Sequence, residues 1–68
     1  MIYGDRIRQV RELNGWTQAD LASQLGVSQP FIAQIEGGRE KAPDSLLQAL
    51  VFRTAFPAAF FETAPLSE

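Results

Sequence analysis

The feature that most constrains the fold is the stretch TQADLASQLGVSQPFIAQIE, which begins at Thr17 and contains two short helical patterns joined almost directly. Thr17 and Ser28 are residue types suited to cap the N-terminus of a helix. Gly26 can adopt a positive φ without a Cβ clash, so it can end the first helix and turn the chain at once. The spacing predicts helices over 18–25 and 29–36 that meet at a tight turn.

Further helical segments are predicted on both sides of this pair. Apolar residues recur at every third position in the segment before Asn14, which indicates a first helix. After the polar loop REKAP, Asp44 or Ser45 can cap a fourth helix, and the run AAFFE forms a short turn. The predicted helices are residues 5–14, 18–25, 29–36 and 45–54, followed by a turn at 58–62 and a tail at 63–68. The expected fold is all-α: a compact bundle of four to five short helices in a single domain, 1–68.

Composition excludes several classes of protein. The 68 residues include no cysteine and no histidine, so the usual zinc ligands, disulfides and the commonest general base are missing. No nucleophile has a base, so we expect no enzyme, no catalytic residues, no metal site and no cofactor. No apolar run approaches the ~20 residues of a membrane span, and the start of the chain lacks the pattern of a secretory signal. A cytoplasmic domain with no membrane partner is expected.

Cations are few and unevenly placed. The net charge is −2, with six Lys and Arg against eight Asp and Glu. That balance counts against non-specific binding to a polyanion, which needs clustered cations. All but Arg53 of the Lys and Arg residues lie before Ala42. A nucleic-acid surface, if present, is therefore predicted in the first two thirds of the chain.

The helix over 29–36 has an unusual outer surface. At about 100° per residue, Ile32 and Ile35 point one way. The opposite side and its flank carry small or amide residues, namely Gln29, Pro30, Ala33 and Gln34. An uncharged, amide-bearing ridge suits the major groove, where Gln bonds to adenine N6 and N7. A tight structural hairpin with solvated glutamines is the alternative, and the residues alone leave both open.

The run from Arg6 to Pro43, and above all TQADLASQLGVSQPFIAQIEGGR, resembles the lambda repressor and Cro-like DNA-binding domains, also called the XRE family. The resemblance implies a lambda repressor-like helix-turn-helix formed by helices two and three. It also implies sequence-specific binding to double-stranded DNA by a transcriptional regulator. The helix over 29–36 would enter the major groove, with a homodimer on a palindromic operator.

The resemblance, read with the outer surface of the helix, assigns a role to individual residues. Base contacts are expected from Gln29, Gln34, Pro30 and Ala33. Contacts to the DNA backbone are expected from Gln18, Thr17, Ser28, Phe31, Arg39 and Lys41. The resemblance also implies that Gln18 supports Gln29. Relatives place an ion pair at the positions of Arg11 and Glu36, which implies a structural role for both. Pro30 and Phe31 stand where the phage proteins have polar residues, and this removes a second glutamine contact.

The end of the chain is rich in phenylalanine. The residues concerned are Phe52, Phe56, Phe60 and Phe61. Part of this apolar surface must close the core, and the rest is either a dimer interface or a surface for more protein. The phrase RTAFPAAFFE resembles the junction in longer regulators that carry an ImmA/IrrE-type domain, which implies a C-terminal domain beyond this chain. An alternative function remains, a protein-interaction module that retains the fold without specific DNA binding.

Overall fold

The computed structural model describes residues 2–64, and within that range all regular secondary structure is helical. Five helices follow one another: α1 (Gly4–Leu13), α2 (Gln18–Leu25), α3 (Gln29–Glu36), α4 (Asp44–Thr54) and α5 (Ala58–Phe61). α2 and α3 pack against each other, and α1 and α4 complete the bundle. The predicted all-α fold, with a helix-turn-helix formed by helices two and three, is confirmed.

Side-chain caps start both α2 and α3, and Gly26 turns the chain between them. The Thr17 hydroxyl accepts the N–H of Asp20 at 3.0 Å, and the Asp20 carboxylate accepts the N–H of Thr17 at 3.0 Å. Gly26 ends α2 at φ 70, in the left-handed region that glycine adopts without strain. The Ser28 hydroxyl then accepts the N–H of Phe31 at 3.3 Å and starts α3. The two helices therefore meet across Gly26–Ser28 with their ends satisfied.

The boundaries of the other helices differ from prediction by a residue. α1 begins at Gly4 and ends at Leu13, and α5 ends at Phe61. The expected caps on α4 were wrong, because Pro43 occupies the N-cap position and no side chain caps this helix. The carbonyl oxygen of Pro43 instead accepts the N–H groups of Leu46 and Leu47 at 3.0 and 3.2 Å. Residues 65–68 of the predicted tail lie outside the described residues.

Every helix contributes to one hydrophobic core. Its buried members are Ile7, Val10, Leu21, Ala22, Ile32, Ile35, Leu46, Leu50 and Phe61. Ile32 and Ile35 face this core, which leaves the opposite side of α3 outward. At the start of α1, a Cβ on Gly4 would overlap the carbonyl oxygen of Ile35, so the absence of a side chain lets α1 lie directly against the end of α3.

The four phenylalanines near the end of the chain are in different environments. Phe61 has no exposed surface and closes the core, so it must be removed from the candidate interface. Phe56 and Phe60 are half-buried, and their ring centroids are 5.2 Å apart. Phe52 is 82% exposed. An interface at this end of the molecule can therefore use Phe52 fully and Phe56 and Phe60 in part.

Phe61→Ala tests this assignment. Truncating a fully buried ring lowers the free energy of unfolding by about 3–5 kcal/mol, because it removes apolar contacts and leaves a cavity. The measurement is urea unfolding followed by circular dichroism, and loss of helical signal before urea is added counts as the same result. Leu13→Ala is the control, because Leu13 is 67% exposed and lies outside the candidate interface, and it should change the free energy by no more than about 0.5 kcal/mol. Equal losses in the two variants would contradict the placement of Phe61.

Candidate nucleic-acid interface

The outward side of α3 is uncharged. Gln29, Pro30 and Gln34 are exposed, and Ala33 is half-buried between them. Glu36 is the one charged residue that α3 contains, and it turns inward, with its side chain 4% exposed. A surface of amides and small side chains is therefore what α3 offers to a partner.

Glu36 is held by Arg11 in a bidentate ion pair. Nε of Arg11 donates to Oε2 at 2.8 Å, and Nη2 donates to Oε1 at 3.1 Å. Nη1 of Arg11 also donates to the carbonyl oxygen of Trp16 at 2.9 Å. The hydrogen bond to Glu36 raises the pKa of the Arg11 guanidinium, although burial opposes the shift. The pair joins the last turn of α1 to the last turn of α3.

Two glutamines extend this ion pair to the start of α3. Nε2 of Gln18 donates to Oε1 of Glu36 at 3.1 Å, and Nε2 of Gln29 donates to Oε1 of Gln18 at 2.7 Å. We call the hydrogen-bonded set Arg11, Glu36, Gln18 and Gln29 the amide relay. The relay runs from a buried carboxylate to an exposed side chain on the candidate surface. It also holds the N-termini of α2 and α3 beside each other.

The contact between Gln18 and Glu36 was missed by sequence reasoning, which treated the two residues in separate roles. They lie on different helices, 18 residues apart. Helical periodicity relates residues within one helix and says nothing about such a pair. The pairing of the Gln18 amide with the carboxylate of Glu36 can be recognised only after α2 and α3 have been positioned relative to each other.

Hydroxyl groups at the two helix N-termini lie next to the relay. Thr17 and Ser28 are exposed, and each hydroxyl accepts one backbone N–H of its own helix. A hydroxyl that accepts still has its own proton to donate. Free N–H groups at helix N-termini favour anions. Phe31 is half-buried against the core, so only part of its ring faces outward.

Arg39 and Lys41 are the cations beside α3. Both are exposed in the loop between α3 and α4, and within residues 2–64 neither forms an ion pair. Arg8 is paired with Glu12 at 3.3 Å. Glu40 lies between the two loop cations in the chain, and Asp44 follows them. Within residues 2–64 the structure leaves two unpaired positive charges next to the uncharged surface, in a loop that also carries Glu40 and ends at Asp44, the first residue of α4.

Two arginines lie over phenylalanine rings near the end of the chain. The guanidinium carbon of Arg6 lies 4.8 Å from the centroid of the Phe60 ring, and Arg6 also donates to the carbonyl oxygens of Thr63 and Ala64. Arg53 lies over Phe52, at 5.9 Å from the centroid of its ring. These two cations are engaged with the end of the chain rather than with α3.

Among residues 2–64 there is no group of three acidic, His or Cys residues arranged to hold a metal ion. No helix in that range is long and apolar enough to cross a membrane.

Comparisons with known proteins agree with the helix-turn-helix fold. Residues 2–59 match the family described as helix-turn-helix domain. The chain is also similar to a protein of Bacillus subtilis (strain 168) named "Uncharacterized HTH-type transcriptional regulator YazB". The identity is 38% over 47 residues, which is 69% of this chain and 68% of that protein.

Arg11→Met tests whether the ion pair is structural. It leaves the buried carboxylate of Glu36 without its guanidinium, which should lower the free energy of unfolding by about 3 kcal/mol, the lower end of the range for breaking a buried pair. Arg8→Met is the matched control on the same helix, because its pair with Glu12 is exposed and contributes about 0–1 kcal/mol. Thermal unfolding of both variants provides the comparison. A loss in Arg11→Met no larger than in Arg8→Met would show that the ion pair does not hold α3.

Proposed function

The chain belongs to the helix-turn-helix domain family, and from this membership we propose that residues 1–68 form a single domain that binds double-stranded DNA sequence-specifically as a transcriptional regulator. The observation that carries the proposal is the uncharged outer surface of α3, because its one carboxylate is turned inward onto Arg11. An outward carboxylate would be repelled by the phosphates on both sides of a groove. Amides and small side chains can approach base edges.

In this proposal α3 enters the major groove, which is about 12 Å wide and admits one helix. Gln29 and Gln34 face the base edges, where glutamine can donate and accept a hydrogen bond together. Pro30 and Ala33 lie between them and carry little bulk, so they allow close approach and apolar contact with a thymine methyl. The subfamily we propose is the lambda repressor and Cro-like one.

Contacts to the sugar-phosphate backbone are proposed on both sides of α3. The hydroxyls of Thr17 and Ser28 and the second N–H of Gln18 lie at the N-terminal ends of α2 and α3. The exposed edge of Phe31 adds an apolar contact to sugar. Arg39 and Lys41 supply the positive charge from the loop that follows α3. Since only these two cations beside α3 are unpaired in residues 2–64, the electrostatic part of the affinity is small for each protomer.

We further propose that two copies bind a palindromic operator, because one α3 reads only a few base pairs. Half-sites one helical turn apart, about 34 Å, require a two-fold interface. Phe52 together with the exposed parts of Phe56 and Phe60 is the apolar surface proposed for it. In a longer chain the same surface would instead meet a C-terminal domain, such as the ImmA/IrrE-type one. The oligomeric state in solution distinguishes these two uses.

A protein-interaction module is the second candidate function. The observation that favours it is Phe52, which is 82% exposed on a domain of net charge −2. Binding of this kind would not depend on DNA sequence and would not show the fall in affinity with rising salt that counterion release from DNA produces. Selection from random duplexes separates the two functions, because a regulator enriches one sequence and an interaction module enriches none.

Gln29→Ala and Gln34→Ala test the assignment of α3 to the groove. Each should weaken binding to the selected duplex by about 1–3 kcal/mol and should change the preferred base at one position per half-site. Fluorescence anisotropy against duplexes substituted at single positions measures both effects. Gln24→Ala, at an exposed glutamine of α2, is the matched control and should leave affinity and preference unchanged. Unchanged base preference in both Gln29→Ala and Gln34→Ala would remove α3 from the groove.

Arg39→Ala tests the backbone contacts. With about two phosphates neutralised by each protomer, the slope of log K against log salt should be roughly −2 per protomer. Arg39→Ala should weaken binding to all sequences alike and reduce that slope by about 1 per protomer. Titrations at several salt concentrations measure the slope. If Arg39→Ala altered base preference and left the slope unchanged, Arg39 would be a base contact instead.

A further inference from the structure

The two amide hydrogen bonds of the amide relay both donate toward Glu36, and the buried carboxylate fixes this order of donors and acceptors. An ionised carboxylate accepts hydrogen bonds and donates none. Oε2 of Glu36 accepts from Nε of Arg11, while Oε1 accepts from Nη2 of Arg11 and from Nε2 of Gln18. The Glu36 side chain is 4% exposed, so few of these bonds can be replaced by water. Gln18 must therefore turn its NH2 group, and not its carbonyl oxygen, toward Glu36.

The same constraint passes to Gln29. Because the NH2 group of Gln18 is turned to Glu36, its carbonyl oxygen faces Gln29 and needs a donor. Nε2 of Gln29 supplies that donor at 2.7 Å. Gln29 is then left with its carbonyl oxygen and its second N–H for anything that approaches the exposed surface. One acceptor and one donor are thereby presented side by side at the start of α3.

We propose that Glu36 determines base specificity through this relay, although it touches no base: it orders the Gln18 and Gln29 amides so that Gln29 recognises adenine rather than guanine. The inference rests on the proposed DNA binding. Adenine shows a donor at N6 and an acceptor at N7 in the major groove, which match one acceptor and one donor on Gln29. Guanine shows acceptors at O6 and N7, which match two N–H donors.

The reversed relay is the state that Glu36 excludes. In that state Gln29 would donate both N–H groups outward and accept from Gln18, and its surface would fit guanine. Reversal would place the carbonyl oxygen of Gln18 against the carboxylate of Glu36, so a charge-assisted hydrogen bond would be replaced by two opposed acceptors. Glu36 is therefore a positioning residue for recognition as well as a partner in the ion pair.

Two substitutions separate this role from structural support. Gln18→Met keeps an unbranched side chain and the Arg11–Glu36 pair but interrupts the relay. Glu36→Gln removes the constraint on the orientation of the Gln18 amide, since a glutamine amide at position 36 can both donate and accept. If Glu36→Gln fails to fold, Gln18→Met alone decides the question. Gln24→Met is the matched control for Gln18→Met on α2, because Gln24 is exposed and lies outside the relay.

The first measurement needs no DNA. Side-chain amide NMR on the free protein should show a scalar coupling across the hydrogen bond from Nε2 of Gln29 to the side-chain carbonyl of Gln18. It should also show slower solvent exchange for one of the two Gln29 amide protons. Both signals should persist in Gln24→Met and disappear in Gln18→Met. A coupling in the opposite direction, from Nε2 of Gln18 to the carbonyl of Gln29, or free exchange in the parent protein, would overturn the proposed order.

The second measurement uses the selected duplex with adenine or guanine at the position whose preference depends on Gln29. The parent protein and Gln24→Met should prefer adenine by roughly tenfold or more, a factor that corresponds to about 1.4 kcal/mol. Gln18→Met should bring the ratio of affinities for the adenine and guanine duplexes close to one. It should leave the base preference at the position contacted by Gln34 unchanged. An unchanged adenine preference in Gln18→Met would overturn the inference while the proposed function stands. If the parent enriches no duplex, the proposed function fails, and the NMR result still decides the order of the amides.

Discussion

The structure depends most on the inward turn of one carboxylate. Glu36 is the single charge that α3 contains, and its bidentate pair with Arg11 keeps it in the interior. Two consequences follow from that one interaction. The last turns of α1 and α3 are tied together, which places α3 on the bundle, and the outer surface of α3 is left without negative charge. The same carboxylate anchors the two glutamines that lead to that surface, so the support of α3 and the orientation of Gln29 on the candidate surface depend on one buried group.

Placement of α3 also requires a short and rigid joint with α2. The left-handed Gly26 ends α2 and the Ser28 hydroxyl caps α3 two residues later, while the capping box at Thr17 satisfies the other end of α2. Because the backbone groups at the joint are paired locally, they do not take up the side-chain hydrogen-bond donors of the candidate surface. The apolar sides of the two helices can then share one core through Leu21 and Ile32. The amides of Gln18 and Gln29 meet as a result of this geometry.

Much of the fold could be predicted from local chemistry, and most of the exceptions are contacts between segments far apart in the chain. Caps and Gly26 lie within one stretch of chain, so α2, α3 and their turn were predicted with the observed bounds. Contacts between distant segments carry no such local signal. The sequence therefore did not distinguish buried Phe61 from exposed Phe52, and it did not show that Gln18 bonds to Glu36. The cap on α4 was wrong because Pro43, a residue without a capping side chain, takes the position expected for Asp44 or Ser45.

The central claim is that the uncharged surface of α3 is where the domain meets DNA. The most direct test is to titrate the ¹⁵N-labelled protein with the duplex that it selects and to map the resulting chemical-shift changes. The account predicts the largest changes at the side-chain amides of Gln29 and Gln34 and at the backbone of the loop that carries Arg39. Changes concentrated at Phe52 and the end of α4, with α3 unaffected, would contradict it.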